Sequence, residues 1–227
     1  MIYMAFKDID QQLIEECCKD IVDIDKIKTL IANGANINAF DEKYEQALYE
    51  EVLEFYIFEG RERRLDLSNL YKITNLFIEN DLILNHKPED RDYFLPDSFR
   101  FLPPEKICID TFKALLENGQ SSFDELEIVM TNASGDLHMG IFYFFEQTQF
   151  YSEEDSARFF LELIYWACAY KVKLFPEKCS KDILDFNWFD RDKNKVELIR
   201  ENRSTSVFVE NLENHKRVKI DGWTTEY

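Results

Sequence analysis

The stretch from residue 25 to residue 41, Asp-Lys-Ile-Lys-Thr-Leu-Ile-Ala-Asn-Gly-Ala-Asn-Ile-Asn-Ala-Phe-Asp, decides the fold. Its apolar residues recur at helical spacing and form one stripe, made of Ile24, Ile27, Leu30 and Ile31. Asn33-Gly34 ends the predicted helix, because glycine accepts the left-handed conformation that a helix end requires. Asn36 and Asn38 then favour a turn. We therefore predict a helix followed by a tight turn.

This run resembles the second helix and the following turn of an ankyrin repeat, whose usual sequence is close to KLLLENGADVNAKD. A helix predicted from Asp8 or Asp10 to about Lys19 precedes it, and the two form a helix–turn–helix pair. Two later segments repeat the ending, with Asp81 and Gly119 at the place of Gly34. These positions lie 47 and 38 residues apart, more than the roughly 33 of a regular repeat, which indicates insertions. Because Asp81 replaces a glycine, we expect strain or another cap there.

Further helices are expected at helical spacings of apolar residues along the rest of the chain. They run from Glu45 to about Phe58, from Asn69 to Glu79 with Ser68 as the cap, from Glu105 to Glu117 and from Glu153 to about Tyr170. Another covers Phe123 to Asn132, Asp136 to Glu146, or both. Residues 60–64 and 86–101 are predicted to be loops. Alternating runs at 196–199, 207–209 and 218–220 favour a strand hairpin or meander, or else a loosely ordered tail.

The predicted fold is therefore mostly α: an ankyrin-like solenoid of about four degenerate helix–turn–helix pairs with a small β-rich C-terminal element. Residues 1–175 form the helical repeat domain. Residues 176–227 form a cap with short strands, packed on the same domain, because the last apolar face of a repeat array must be covered.

The charge and the cysteine content limit the possible partners and the cellular compartment. Asp and Glu number 45 against 27 Lys and Arg, giving a formal charge of −18. Such a chain repels nucleic acid and attracts a basic partner, although the charge could also serve solubility alone. The five cysteines include no CxxC pair, the start resembles no signal peptide, and the densest apolar run, 159–170, is too short to span a membrane. We expect a cytoplasmic protein with free thiols.

No catalytic, cofactor or metal motif is present in the sequence. Residues 190–201 mimic a calcium loop, but Lys195 stands where that loop needs glycine. His86, His138 and His215 belong to no HExxH or HxxxH pair, which disfavours zinc. The glycines show no nucleotide-loop spacing. We therefore expect neither cofactor nor metal, and no enzyme.

Partner-binding residues follow from the resemblance, which implies a concave groove lined by the turns and by exposed helix faces. The first turn carries Phe40, Asp41, Glu42 and Tyr44; the second carries Asp90, Asp92 and Tyr93; the third carries Asp124; and one helix has an acidic face of Glu50, Glu51 and Glu54. Aromatic side chains among acids suit a basic protein, since tyrosines anchor and carboxylates steer. Alternatively, Phe40, Phe94 and Phe123 close the core between repeats.

The function expected is protein binding. The chain is similar to small, acidic bacterial ankyrin-like proteins that accompany toxin genes as immunity proteins, which implies an inhibitor whose acidic groove covers a basic toxin domain. Two alternatives stay open: a generic ankyrin-type scaffold or adaptor, and a metal-dependent or hydrolytic enzyme on a helical fold.

Overall fold

The computed structural model describes residues 6–41, 46–63, 65–84, 95–135, 151–179, 193–201 and 204–219. The protein is mostly α-helical, with two small antiparallel sheets. The chain divides into two compact units, Met1–Pro103 with Asp110–Ser121, and Pro104–Ile109 with Ser122–Tyr227. The predicted boundary at residue 175 therefore falls inside the second unit.

The first unit is built mainly from helices. They are α1 (Asp8–Cys17), α2 (Ile24–Ala32), α3 (Leu48–Arg63), α4 (Ser68–Glu79), a 3₁₀ segment (Leu95–Phe101) and most of α5 (Lys106–Glu117). Each helix buries its apolar stripe, with Leu13, Ile27, Val52, Leu70 and Phe112 all fully inaccessible. The 3₁₀ segment occupies the end of the stretch predicted to be a loop.

The prediction for α3 was wrong at both ends. A short hairpin, β1 (Phe40–Asp41) with β2 (Gln46–Ala47), precedes the helix, which begins at Leu48 rather than at Glu45. Its carboxyl end lies at Arg63, inside the predicted charged loop. Arginine and glutamate are good helix formers, so a run of charges does not by itself end a helix.

The N-terminal caps of α1 and α4 also differ from those predicted. Ser68 is the first residue of α4, and the Asp66 carboxylate accepts a hydrogen bond from the Ser68 amide at 3.0 Å. Neither Asp8 nor Asp10 caps α1, which has Lys7 at the cap position. Asp10 instead accepts a hydrogen bond from the Asn36 amide at 2.7 Å, which fixes the turn after α2 to α1.

The three predicted helix ends share one backbone conformation. Gly34, Asp81 and Gly119 have φ values of 98°, 63° and 73°, all in the left-handed region. Behind Gly34 the amide of Ala35 bonds the carbonyl of Leu30 at 3.0 Å, and the same six-to-one bond joins Leu82 to Phe77 at 3.0 Å. The equivalence of the three positions is confirmed, and Asp81 keeps the glycine-type cap at the cost of strain.

Side-chain amides connect the three turns in series. The side-chain amide of Asn38 donates a hydrogen bond to the backbone carbonyl of Asp81 at 2.9 Å and accepts one from the backbone N–H of Ile83 at 2.8 Å. On the far side of that second turn, the Gln120 amide donates to the Leu82 carbonyl and accepts from the Leu84 amide, both at 2.8 Å. Each side-chain amide thus makes the two hydrogen bonds that a backbone peptide group would make between neighbouring turns.

The second unit combines two long helices with a three-stranded sheet. It contains α6 (Phe123–Gly135), α7 (Glu153–Leu174), a 3₁₀ turn (Pro176–Lys178), β3 (Asn194–Glu201), β4 (Ser204–Asn211) and β5 (Arg217–Lys219). The sheet is an antiparallel meander in which Val196, Val209 and Val218 lie opposite one another. The predicted meander is confirmed, and β3 packs against α7. The alternative helix at 136–146 lies outside the described residues.

α7 extends four residues beyond the predicted end at Tyr170. Lys171, just beyond the predicted end of the helix, is 1% exposed and forms an ion pair with Glu127 of α6. Its ammonium group lies 4.0 Å from the centre of the Phe123 ring. The lysine stem thus completes the packing of α6 on α7 and lets the helix continue.

Candidate functional site

The surface between α1 and α3, within the first unit, contains a cleft of about 500 Å³. Its lining combines apolar side chains, a thiol and four carboxylates: Ile14, Glu15 and Cys18 from α1, and Glu51, Glu54, Phe55, Phe58 and Glu59 from α3. We call this the α1–α3 cleft. Its volume lies within the range of ligand pockets, but the cleft is largely open to solvent.

The periodicity of α3 places its five lining residues together. They stand at i, i+3, i+4, i+7 and i+8 from Glu51, which is one face of an α-helix. The opposite face of α3 carries Val52 and Tyr56, 0% and 1% exposed, and packs into the core. The Tyr56 hydroxyl also bonds the Cys17 carbonyl of α1 at 3.3 Å, which holds the two walls together.

Aromatic side chains form the apolar part of the cleft. Ile14 is buried, Phe55 is half-buried, and Phe58 is 67% exposed. The Phe55 ring meets the Tyr56 ring edge to face with centroids 5.5 Å apart, so its position is set by the core. Phe58 is the one aromatic residue among the large apolar side chains that the described part of the chain exposes.

One carboxylate of the cleft, that of Glu51, is partly desolvated. Burial, reinforced by repulsion from Asp41 and Glu54, raises the pKa of Glu51 above its ordinary value. Burial, with a smaller contribution from the Glu51 carboxylate, also raises the pKa of Cys18 to about 12. Glu54 accepts a hydrogen bond from the Gln46 side chain at 2.8 Å. The cleft therefore presents concentrated negative charge and an uncharged thiol.

The predicted partner-binding residues divide between several places. Glu51 and Glu54 lie in the cleft, with Asp41 near enough to repel Glu51. Asp41 itself is only 5% exposed, and Phe40 beside it in β1 is half-buried.

The other predicted residues lie elsewhere. Glu50 accepts a hydrogen bond from the Ala47 amide at 2.8 Å and so caps α3. Asp124 is exposed in the second unit. Five of the predicted residues lie outside the described ranges: Glu42, Tyr44, Asp90, Asp92 and Tyr93.

The sequence did not predict the lining residues near α1 or the aromatic residues of α3 at the cleft. Phe55, Phe58 and Glu59 are not among the predicted partner-binding residues. The signal was present, since Glu51, Phe55 and Phe58 share one helical face. A helical face that carries both aromatic and acidic side chains differs from a face that is only solvated. Its regular spacing would have identified this face of α3 as a candidate binding surface.

The chemically reactive groups of the cleft are one thiol and four carboxylates. Among the described residues, no group of three or more His, Cys, Asp or Glu side chains could hold a metal ion. Cys18, with its raised pKa, stays a thiol at neutral pH, whereas a nucleophilic cysteine requires the thiolate. Asn194–Glu201, the last eight of the twelve residues in the calcium-like stretch, form a β-strand.

Over the described ranges, no helix is both long and apolar enough to cross a membrane. All five cysteines are free. Comparisons of the chain with protein-family models, with curated proteins and with solved structures gave no match.

Proposed function

We propose that this protein is a protein-binding module that takes a basic partner in the α1–α3 cleft. The observation that carries the proposal is Phe58, a large apolar side chain 67% exposed among four glutamates. An exposed aromatic residue in a cleft is a typical anchor for a protein partner, and the surrounding carboxylates select for positive charge.

The overall charge supports the same partner. A chain with a formal charge of −18 attracts a basic protein over a distance and speeds the encounter. At the cleft, a cation would also relieve the repulsion that Glu51 experiences from Asp41 and Glu54. Binding would therefore replace an unfavourable interaction of the free protein with a favourable one.

Within the first unit, we propose that the helix pairs stack as in an ankyrin-type array. The support is the repeated left-handed cap at positions 34, 81 and 119, together with the bridging amides of Asn38 and Gln120. In such arrays each pair buries its apolar face against the next, which leaves a continuous surface free for binding.

The biological role we propose is that of a cytoplasmic immunity protein that covers a basic toxin domain. The support is the resemblance of 25–41 to an ankyrin repeat and the acidic cleft; free thiols agree with a reducing compartment. A toxin that holds nucleic acid must be positively charged, which matches the cleft. A scaffold without a toxin partner is the second candidate, favoured by the same stacked turns.

The proposal is tested with variants that change charge equally at different places. Glu15→Gln with Glu51→Gln removes two charges from the cleft, and Glu79→Gln with Glu177→Gln removes two from exposed positions elsewhere. Each protein is used to capture partners from the source cell at low and at high salt. We expect the cleft variant to lose a basic partner that the control variant retains, and high salt to weaken its capture.

A partner retained equally by both variants would contradict a role for the cleft. The immunity role has its own test, in which the captured protein is expressed alone and with this protein. Growth inhibition that is relieved on co-expression is expected, and a captured protein without toxicity would favour the scaffold role instead.

A further inference from the structure

We infer that the α1–α3 cleft selects arginine over lysine in its basic partner. The inference rests on the proposed function and adds the chemical identity of the side chain that the cleft recognises. Its basis is the combination of two aromatic rings with carboxylates on both walls of one cleft.

The aromatic residues provide the first part of the argument. Phe55 is held by its edge-to-face contact with Tyr56, and Phe58 stands one helical turn further along the same face, 67% exposed. A guanidinium group is planar and weakly hydrated, so it stacks on an aromatic face with little loss of solvation. A lysine ammonium is strongly hydrated and gains less from the same rings.

The carboxylates provide the second part. Glu51 and Glu54 are close enough for mutual repulsion on the α3 wall, and Glu15 belongs to the α1 wall. Glu15 and Glu51 accept no hydrogen bond from the described residues, while Glu54 has the Gln46 amide. One guanidinium carries five N–H donors in a fixed fork and can bond two carboxylates at once.

The occupant is a side chain from a partner segment that does not add a strand. The described lining residues belong to α1, its C-terminal cap and α3, which offer no strand edge for main-chain pairing. A volume of about 500 Å³ accommodates an arginine with parts of its neighbours. Recognition therefore depends on side chains, and the guanidinium satisfies both the rings and the acids.

The experiment compares amidated hexa-arginine and hexa-lysine peptides, which have equal charge, by titration at low salt. Four proteins are used: the wild type, Phe58→Leu, the cleft variant Glu15→Gln with Glu51→Gln, and the control Glu79→Gln with Glu177→Gln. We expect the wild type and the control to bind hexa-arginine about fivefold more tightly than hexa-lysine. Phe58→Leu should reduce that ratio towards one, because leucine keeps the apolar contact and removes the ring.

The outcomes separate the two proposals. Equal affinity for both peptides, or an arginine preference unchanged by Phe58→Leu, overturns the inference and leaves the proposed function in place if the cleft variant weakens both peptides. Binding that the cleft variant leaves unchanged overturns the proposed function as well. Far-ultraviolet circular dichroism of each variant shows that the fold is retained.

Discussion

The side chain of Gln120 provides the sharpest test of how the turns are connected. Its amide bridges the second and third turns by accepting from Leu84 and donating to Leu82, both at 2.8 Å. Asn38 makes the matching bridge between the first and second turns, at 2.9 and 2.8 Å. Replacing each with alanine removes one donated and one accepted hydrogen bond between turns, so the two variants compare a part-buried bridge with an exposed one.

The two replacements should differ in cost. In Gln120→Ala the part-buried Leu84 amide loses its acceptor, which costs about 1–3 kcal/mol, while the Leu82 carbonyl keeps the Asn118 side chain at 3.2 Å. We expect a loss of about 2 kcal/mol in total. In Asn38→Ala both freed groups are exposed and bond to water, so the expected loss is about 0.5–1 kcal/mol.

Urea denaturation measures the two losses, and amide hydrogen exchange locates them. The Leu84 amide should exchange faster in Gln120→Ala, and the Ile83 amide should do so in Asn38→Ala. Equal losses would refute the effect of burial. If neither replacement lowered the stability, or if the Leu84 amide kept its protection without Gln120, the bridges between turns would not contribute to stability and the proposed stacking would lose its support.

Four further substitutions test other features. Asp81→Gly should stabilise the first unit by about 1 kcal/mol in urea denaturation, because a residue with a Cβ is strained at φ 63°. Gly34→Ala should destabilise the unit by about 1 kcal/mol. Backbone strain alone would cause this loss, since the added Cβ meets no atom within 4 Å. Glu16→Gln should cost about 2 kcal/mol at pH 7. Burial alone would raise the pKa of Glu16, but hydrogen bonds from two lysines and one amide hold it below 4.5, so this stability is present above pH 4.5 and lost as pH falls through the folded pKa. Glu51→Gln should stabilise at pH 7 because the folded pKa of Glu51 is raised, and denaturation over a pH series should show that gain vanish in acid.

Much of the helical part of the fold could be predicted from local sequence. The Asn-Gly pairs at 33 and 118 mark helix ends because few residues other than glycine adopt positive φ. The helix end at Asp81 was predicted correctly only from its position in the repeated sequence pattern. The β1–β2 hairpin was missed because two-residue strands have no detectable periodicity, and their pairing depends on tertiary contacts.

Less of the site could be predicted, because a cleft needs two elements whose relative position is not local. The acids of α3 were identified from composition, but the contribution of Ile14 and Cys18 required the packing of α1 on α3. The sequence pattern gave Gln120 no role, yet its side chain makes the bridge to the second turn. A long amide side chain there reaches two backbone groups, which no single-sequence pattern indicates.

The acidic residues of the first unit are of two kinds, and the difference is an argument for function. Asp10, Glu16 and Glu50 each accept a hydrogen bond from a backbone amide, and two lysines also bond Glu16. Their charges stabilise the fold. Glu51 is desolvated, is repelled by Asp41, and receives no donor from the described residues, so its charge opposes folding. Neutral glutamine at this position would give the more stable protein, and sites that sacrifice stability in this way are typically those where a ligand supplies the missing charge.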